Sequence, residues 1–438
     1  MSKFSSPMFT IEKVCALEIL DSRGRPTVQA SCRLAGGYEG TASVPSGAST
    51  GTAEALELRD GNPKRYRGLG CLRAVANVNK GLHQALAGRA FKNQEELDRA
   101  AIDFDGTSNK SRLGANSILA VSLACARAVS LKHGVPLYRY FAGCLGEPPK
   151  TLPRPAINLF SGGKHAGGQS PLQDVLVLAS SARTIDETLA MTFEIYQCAA
   201  ELTAKKYGMR LLRADEGGLA PPFKDAEAML EDAVTVIRAA GFKPGEDVVL
   251  AVDIASSQFH HHGRYQLGPE SLDGDAMIDR LERWLSQYPI VSLEDGLAEE
   301  DWSHWPKLTE RLGGRALLVG DDLLCTNPQR IRQAIETRAA NTLLLKVNQI
   351  GTLTEALDAN RRARAAGWHV TISARSGETE DNWLADLAVG WASDHIKIGS
   401  ITPSERLSKY NRLLAIEAET GLPLSNPDAL WNQAFLQT

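Results

Sequence analysis

The sequence predicts an α/β barrel preceded by a separate α+β domain, and three observations carry that prediction. Four segments run through β-branched and aliphatic residues and stop at an ionisable side chain: Val248 to Asp253, Pro289 to Glu294, Ala316 to Asp321 and Thr342 to Lys346. Such runs fit strands buried on both faces of a parallel sheet. Roughly 25 to 40 residues separate them, room for one crossover helix each. The chain of 438 residues also exceeds what an ordinary barrel uses, so the N-terminal part must fold separately.

In chain order, Ile11 to Leu34 reads as a β-meander with a tight Asp21-Ser-Arg-Gly24 turn before Pro26. Val44 to Gly51 is loop by composition, with small residues and two glycines that let backbone approach a ligand. Helical patterns follow at Leu72 to Leu86, Glu95 to Ile102 and Gly114 to Lys132; the last is Ala-rich and suited to lie between two surfaces. The Pro/Gly-rich stretch from Gly143 to Pro155 marks the boundary, giving an N-terminal α+β capping domain over 1–143 and a barrel over 144–438. Ala156 to Phe160 and Val175 to Leu178 read as the first barrel strands, joined by the glycine-rich Ser161 to Gly168 without a helix. A long helix from Thr184 to Lys206 leads to Asp215-Glu216-Gly-Gly, and the last strands are His369 to Ser373 and His395 to Ile398. His260-His-His262 reads as an exposed hairpin turn, and Glu299-Glu-Asp301 as a helix start with acid at the positive end of the dipole.

Composition narrows the function classes. A net charge of -4 lacks the basic excess that nucleic acid demands. No apolar run has transmembrane length and the N-terminus has no secretory pattern, so neither membrane nor export is expected. Seven cysteines without a Cys-x-x-Cys pair read as reduced thiols in a cytoplasm.

The strand ends carry the chemistry. Charged residues at the C-terminal ends of barrel strands converge on one mouth. Asp253, Glu294 and Asp321 are then three hard oxygen donors of the kind magnesium takes, with water and substrate completing its shell. Asp295 and Asp322 alternate to the other face and read as loop residues. Lys346 and Lys397 each close an apolar run; two ammonium groups beside a divalent cation should depress at least one amine into a usable base.

These residues belong to longer motifs. Pro45-Ser-Gly-Ala-Ser-Thr-Gly51, Gly163-Lys-His165-Ala, Asp215-Glu216-Gly-Gly, Glu294-Asp, Gly320-Asp-Asp, Lys346-Val-Asn-Gln-Ile-Gly, Arg375-Ser-Gly-Glu-Thr-Glu-Asp, Ile396-Lys397 and Ser404-Glu-Arg occur in this order, and together the chain resembles enolase from about Val14 to Ile416. The resemblance implies an enolase-type (β/α)8 barrel with an atypical ββαα start, a homodimer or higher homo-oligomer, and dehydration of 2-phosphoglycerate to phosphoenolpyruvate. It implies that Asp253, Glu294 and Asp321 hold one Mg2+, and that Ser49 and substrate phosphate hold a second, substrate-dependent one. It further implies Lys346 as base, Lys397 on the substrate carboxylate, Glu216 at the departing hydroxyl, Arg375 and Ser376 on phosphate, and His165 closing over the site. The Asp21 to Gly24 turn is expected at a dimer contact.

Two departures matter. Ala374 precedes Arg375 where the family carries histidine, and Gln173-Asp174 replaces its Gln-Glu pair, shortening a catalytic carboxyl by one methylene. Ser161, Ala214, Gln258, Ile398 and Pro403 also depart. A misplacement of about 1 Å at a reacting centre costs on the order of a hundredfold. The sequence therefore leaves three readings: an ordinary or slow enolase; a paralogue resembling carboxyphosphonoenolpyruvate synthases of phosphonate biosynthesis; and a non-catalytic binding protein. The two catalytic readings take a small anionic phosphate or phosphonate carboxylate as ligand.

Overall fold

The computed structural model describes residues 8–48, 51–168, 170, 172–208 and 212–426. The barrel is closed by eight strands: Arg154–Ser161, Asp174–Ala179, Val248–Asp253, Ile290–Glu294, Leu317–Gly320, Thr342–Leu345, His369–Ser373 and His395–Gly399. The second strand pairs antiparallel with both the first and the third, while the remaining neighbours are parallel. The missing helix between the first two strands explains this: a short connection returns the chain antiparallel, whereas a parallel return needs a crossover. Later crossovers are helical, among them Gly274–Gln287, Pro328–Thr337 and Leu353–Ala365. Each starts on a side-chain cap, from Asp273, Asn327 and Thr352 respectively, which satisfies backbone N–H groups that the helix itself leaves unpaired.

Apolar side chains fill the barrel, with Ala156, Leu176, Leu178, Val249, Ala251 and Val291 in one cluster and Leu317, Val319 and Leu344 in another. The alternate residues of the same strands face the helices, which is why the runs read as continuously apolar. A cavity of about 30 Å³ lies inside, with Glu294 and Lys397 on its wall.

The N-terminal region forms a four-stranded sheet in the order Glu39–Ser43, Pro26–Leu34, Phe9–Leu20, Ala90–Phe91. Helix Ala115–Lys132 packs on it and is buried on nearly every face, as its alanine-rich composition predicts. Gly40 makes this close approach possible, since a Cβ there would lie 2.4 Å from Ala124 O and Ala128 N. The pattern from Leu72 to Leu86 forms one continuous helical run that passes through a π segment at Asn77–Leu82. Among the described residues no single helix is long and apolar enough to cross a membrane. All seven cysteines are free.

The Asp21 to Gly24 turn docks on its own chain, with Ser22 N donating to Glu378 O at 2.7 Å and Arg23 Nη2 donating to Ser46 O at 3.0 Å, while Ser22 and Gly24 stay exposed. Gly377 has no room for a Cβ because Asp21 and Arg23 fill that space. The acidic run Glu299 to Asp301 does not start a helix, which begins at Trp305. Asp301 instead accepts from Tyr265 Oη at 2.7 Å, tying the preceding turn to a hairpin. His260–His261 is one strand of that hairpin, with His262 in its left-handed turn, as expected.

Candidate active site

The mouth of the barrel brings together residues that are far apart in sequence. Asp253 and Glu294 are paired neighbours at the ends of the third and fourth strands. Asp321 follows the fifth strand, Lys346 the sixth and Ala374 the seventh, and Lys397 lies in the eighth. Lys397 Nζ donates to Asp253 Oδ2 and to both Glu294 oxygens, each at 2.8 Å. Lys346 Nζ donates to Asp321 Oδ2 at 2.5 Å, and Gln349 donates to the other Asp321 oxygen at 2.9 Å.

Electrostatics follow from burial and these pairings. Burial and the charge of Asp253 push Glu294 well above the carboxylate range, against the opposing pull of Lys397. Burial acts the same way on Asp253, but Lys397 outweighs it and Asp253 is lowered. Burial pulls both lysines down, yet Asp253 and Glu294 hold Lys397 well above its ordinary value and Asp321 raises Lys346. The depressed lysine expected from sequence is thus not found in the protein's own charges. A divalent cation shared by the carboxylates would act in the opposite sense.

The end of the mouth that carries Arg375 is equally enclosed. Arg375 is buried, with Nη1 and Nη2 on the two Glu54 oxygens at 3.1 and 3.2 Å and Nη1 on Asn348 at 3.0 Å. Ser376 Oγ accepts from Ala48 N at 2.9 Å, and the Ser376 carbonyl accepts from Arg406 at 2.7 Å. Gln173 bridges Asp253 at 3.0 Å and Gln258 at 2.5 Å, so its amide is fully engaged. Asp174 accepts from Ser161 at 2.5 Å and Glu216 accepts from Asn158 at 3.1 Å. Ala374 is buried, its N–H on Lys397 O at 2.8 Å. His165 lies in a 3-10 turn at Gly163–Ala166, but its side chain lies outside the described residues, as does Ser49.

Sequence reasoning assigned no role to Glu54, Asn348, Gln349 or Gln258. Asn348 and Gln349 were legible in principle, because the short helix that carries them, Val347–Ile350, directly follows Lys346 at a charged strand end. Glu54 had no such signal, since only the docking of the N-terminal domain brings it to Arg375. Strain at the mouth was also invisible in the sequence. Ala255, Asp295, Cys325 and Thr326 have positive φ just beyond the third, fourth and fifth strands. Such conformations cost about 1–3 kcal/mol each and concentrate at functional sites.

The donor set fits a hard divalent ion. Asp295, Asp321 and Asp322 also lie close, with one ligand atom from each within 4.8 Å of the others, and could hold a metal. Asp295, however, already accepts from the Asp321 and Asp322 backbone N–H groups at 2.9 and 2.8 Å, so its carboxylate organises that loop. Asp321 is common to both sets.

A capped barrel with one reversed strand, and with carboxylates and lysines interleaved at its mouth, is the architecture of an enolase-superfamily lyase. The family model for the enolase N-terminal domain matches residues 11–141, and that for the enolase C-terminal TIM barrel domain matches residues 149–425. The chain belongs to the enolase family, whose members typically use Mg2+.

Proposed function

We propose that this protein removes the α-proton of a carboxylate substrate and expels its β-hydroxyl in a magnesium-dependent reaction, with 2-phosphoglycerate giving phosphoenolpyruvate. The observation that carries this reading is the placement of two ammonium groups among three carboxylates at one end of the barrel, Lys397 on Asp253 and Glu294 and Lys346 on Asp321. A proton beside a carboxylate has a pKa of roughly 30, so its transfer to an amine near 10 is uphill by about 27 kcal/mol at 1.36 kcal/mol per unit. Preorganised positive charge must supply most of the difference. Asp253, Glu294 and Asp321 would hold one Mg2+, and Ser49 with substrate phosphate a second; bound there, the metal supplies that charge. Lys397 binds the substrate carboxylate. Lys346 would leave Asp321, release its own proton to solvent and, as the neutral amine, take the C2 proton, while Gln349 keeps Asp321 oriented. Glu216 and Asp174 assist the departing hydroxyl, Arg375 and Ser376 hold phosphate, and His165 closes the site. A lysine base with one or two magnesium ions is the general enolase-superfamily pattern and is not particular to this chain.

Mixing the protein with Mg2+ and 2-phosphoglycerate and following the ultraviolet absorbance of the product double bond tests the reading. Turnover at ordinary enolase rates is expected, and none would remove it. Ala374 and Asp174 favour one other reading, a paralogue that acts on or builds a phosphonate or enolpyruvate compound. That reading requires Mg2+ and a phosphonate to bind without turnover of 2-phosphoglycerate. A protein that binds neither would be the non-catalytic case.

The proposal extends to organisation. We keep the division at 1–143 and 144–438, a cytoplasmic location, and a second copy of the chain as partner. Leu17, Leu20, Tyr66 and Leu72 stand exposed around a groove of about 430 Å³ that would suit such a contact. Sedimentation at micromolar concentration should show a dimer or larger; a monomer would overturn this.

A further inference from the structure

The loop beyond the fifth barrel strand holds one residue where its chemistry is unfavourable. The chain leaves Asp321 in a tight turn, with Leu324 N and Cys325 N donating to Asp321 O at 3.0 and 2.7 Å, and reaches Thr326 just before the helix that Asn327 caps. Thr326 is fully buried at 0 % exposure, and its φ is 50°. A β-branched residue rarely adopts that left-handed backbone, and where one does, the strain points to a function that the surrounding structure holds in place.

The Thr326 hydroxyl shows what the strain retains. It accepts from Lys346 N at 2.9 Å, so its own proton is left to donate, and it donates to Gln349 Oε1 at 2.8 Å. That bond sets the Gln349 amide with its nitrogen toward the acids. Nε2 donates to Asp321 Oδ1 at 2.9 Å and to Glu54 Oε1 at 3.4 Å, whereas the reversed amide would set oxygen against oxygen at both carboxylates. Lys346 Nζ donates to the other Asp321 oxygen, Oδ2, at 2.5 Å. A closed ring of hydrogen bonds thus runs from the Lys346 backbone through Thr326 and Gln349 to Asp321, and returns to the Lys346 ammonium group. Thr326 and Gln349 are both at 0 % exposure, and buried hydrogen bonds in such a series polarise and strengthen one another.

We propose that Thr326 is a positioning residue: acting through Gln349, its hydroxyl holds the Asp321 carboxylate in the orientation that binds Mg2+ and meets Lys346. This rests on the reading of Asp321 as a metal ligand and Lys346 as the base. Groups that hydrogen-bond a metal-ligating side chain from behind contribute about 10- to 100-fold to metal affinity or activity.

Titration calorimetry of the full chain with Mg2+ alone tests the proposal without substrate. Thr326→Val keeps the branched shape but has no hydroxyl, and it weakens Mg2+ binding by about 10- to 100-fold. Thr326→Ser keeps the hydroxyl and loses only the methyl group, so it binds Mg2+ near the parental affinity. A merely structural threonine would give another pattern, with melting temperatures shifted and Mg2+ affinity the same in both variants. Thr326→Gly guards against a valine variant that does not fold, because glycine adopts the left-handed backbone freely; it too loses Mg2+ affinity. In a Gln349→Met background, replacing Thr326 by Val costs no further affinity, since the two residues act in series. Parental Mg2+ affinity in Thr326→Val or Thr326→Gly, or a valine effect undiminished by Gln349→Met, would overturn the proposal. A wild-type protein that does not bind Mg2+ removes the metal reading of Asp321 and this proposal with it, an outcome distinct from a wild type that binds the ion no better than its variants.

Discussion

The two sides of the barrel mouth have been kept differently. On the proton-taking side, Asp253, Glu294, Asp321, Lys346 and Lys397 form a closed set of ion pairs in which every charge has an opposite partner. On the side proposed for the departing hydroxyl, Asp174 is shorter than the family's glutamate and accepts from Ser161, Glu216 accepts from Asn158, and Ala374 has no functional group. An ion-pair lattice resists change because removing one member leaves a buried charge unpaired. Under the proposed function, activation of a carboxylate would be the fixed part of this protein, and what leaves from it the adjustable part.

The sharpest test acts on the fixed side. Lys346→Ala should lower C2 proton exchange, followed by loss of the proton signal in deuterium oxide, on the order of 10²- to 10⁴-fold. Exchange at the parental rate would place the base elsewhere. Next, Glu54→Ala leaves the buried Arg375 charge without its bidentate partner and should cost about 3–5 kcal/mol in denaturant unfolding. An unchanged midpoint would mean that Asn348 suffices to hold Arg375.

The foot of the barrel gives a smaller effect. Burial lowers His395 from 6.5 to about 4, and Arg364 and His369 hold Asp394 down at about 2 against the effect of burial. Between pH 6.5 and 4 the unfolded chain takes up a proton that folded His395 refuses, so stability falls as pH drops through this window, by about 3 kcal/mol. Asp394 contributes stability that is present above 3.8 and lost as pH falls toward 2. Denaturant unfolding at pH 7 and pH 4 should show the first loss, and His395→Asn should flatten it. The smallest effect is on the adjustable side: Ala374→His should raise 2-phosphoglycerate turnover modestly, and no gain even in combination with Asp174→Glu would mean that the departing side serves another substrate.

The strand ends were legible because a charged residue closing an apolar run is rare enough to stand out, and each such run became a barrel strand. The reversed second strand was legible from what lay between two runs, a glycine-rich loop with no helical period. Other features were not readable. The Asp301 turn carries the composition of a helix start, but the tertiary bond to Tyr265 decides its conformation. The pairing of Glu54 with Arg375 depends on domain docking, which local composition does not encode.

Closure of the ring has a kinetic consequence. The first and second strands form a local hairpin, whereas the eighth strand pairs with the first, Lys397 opposite Ala156, across most of the barrel sequence. Contacts of large sequence separation bear the greatest loop-closure cost and form slowly. Until that seam closes, Asp253 and Glu294 face each other without the ammonium group that neutralises them. During folding, their mutual repulsion opposes compaction until the last strand arrives, and a divalent cation present from the start would relieve it and speed refolding.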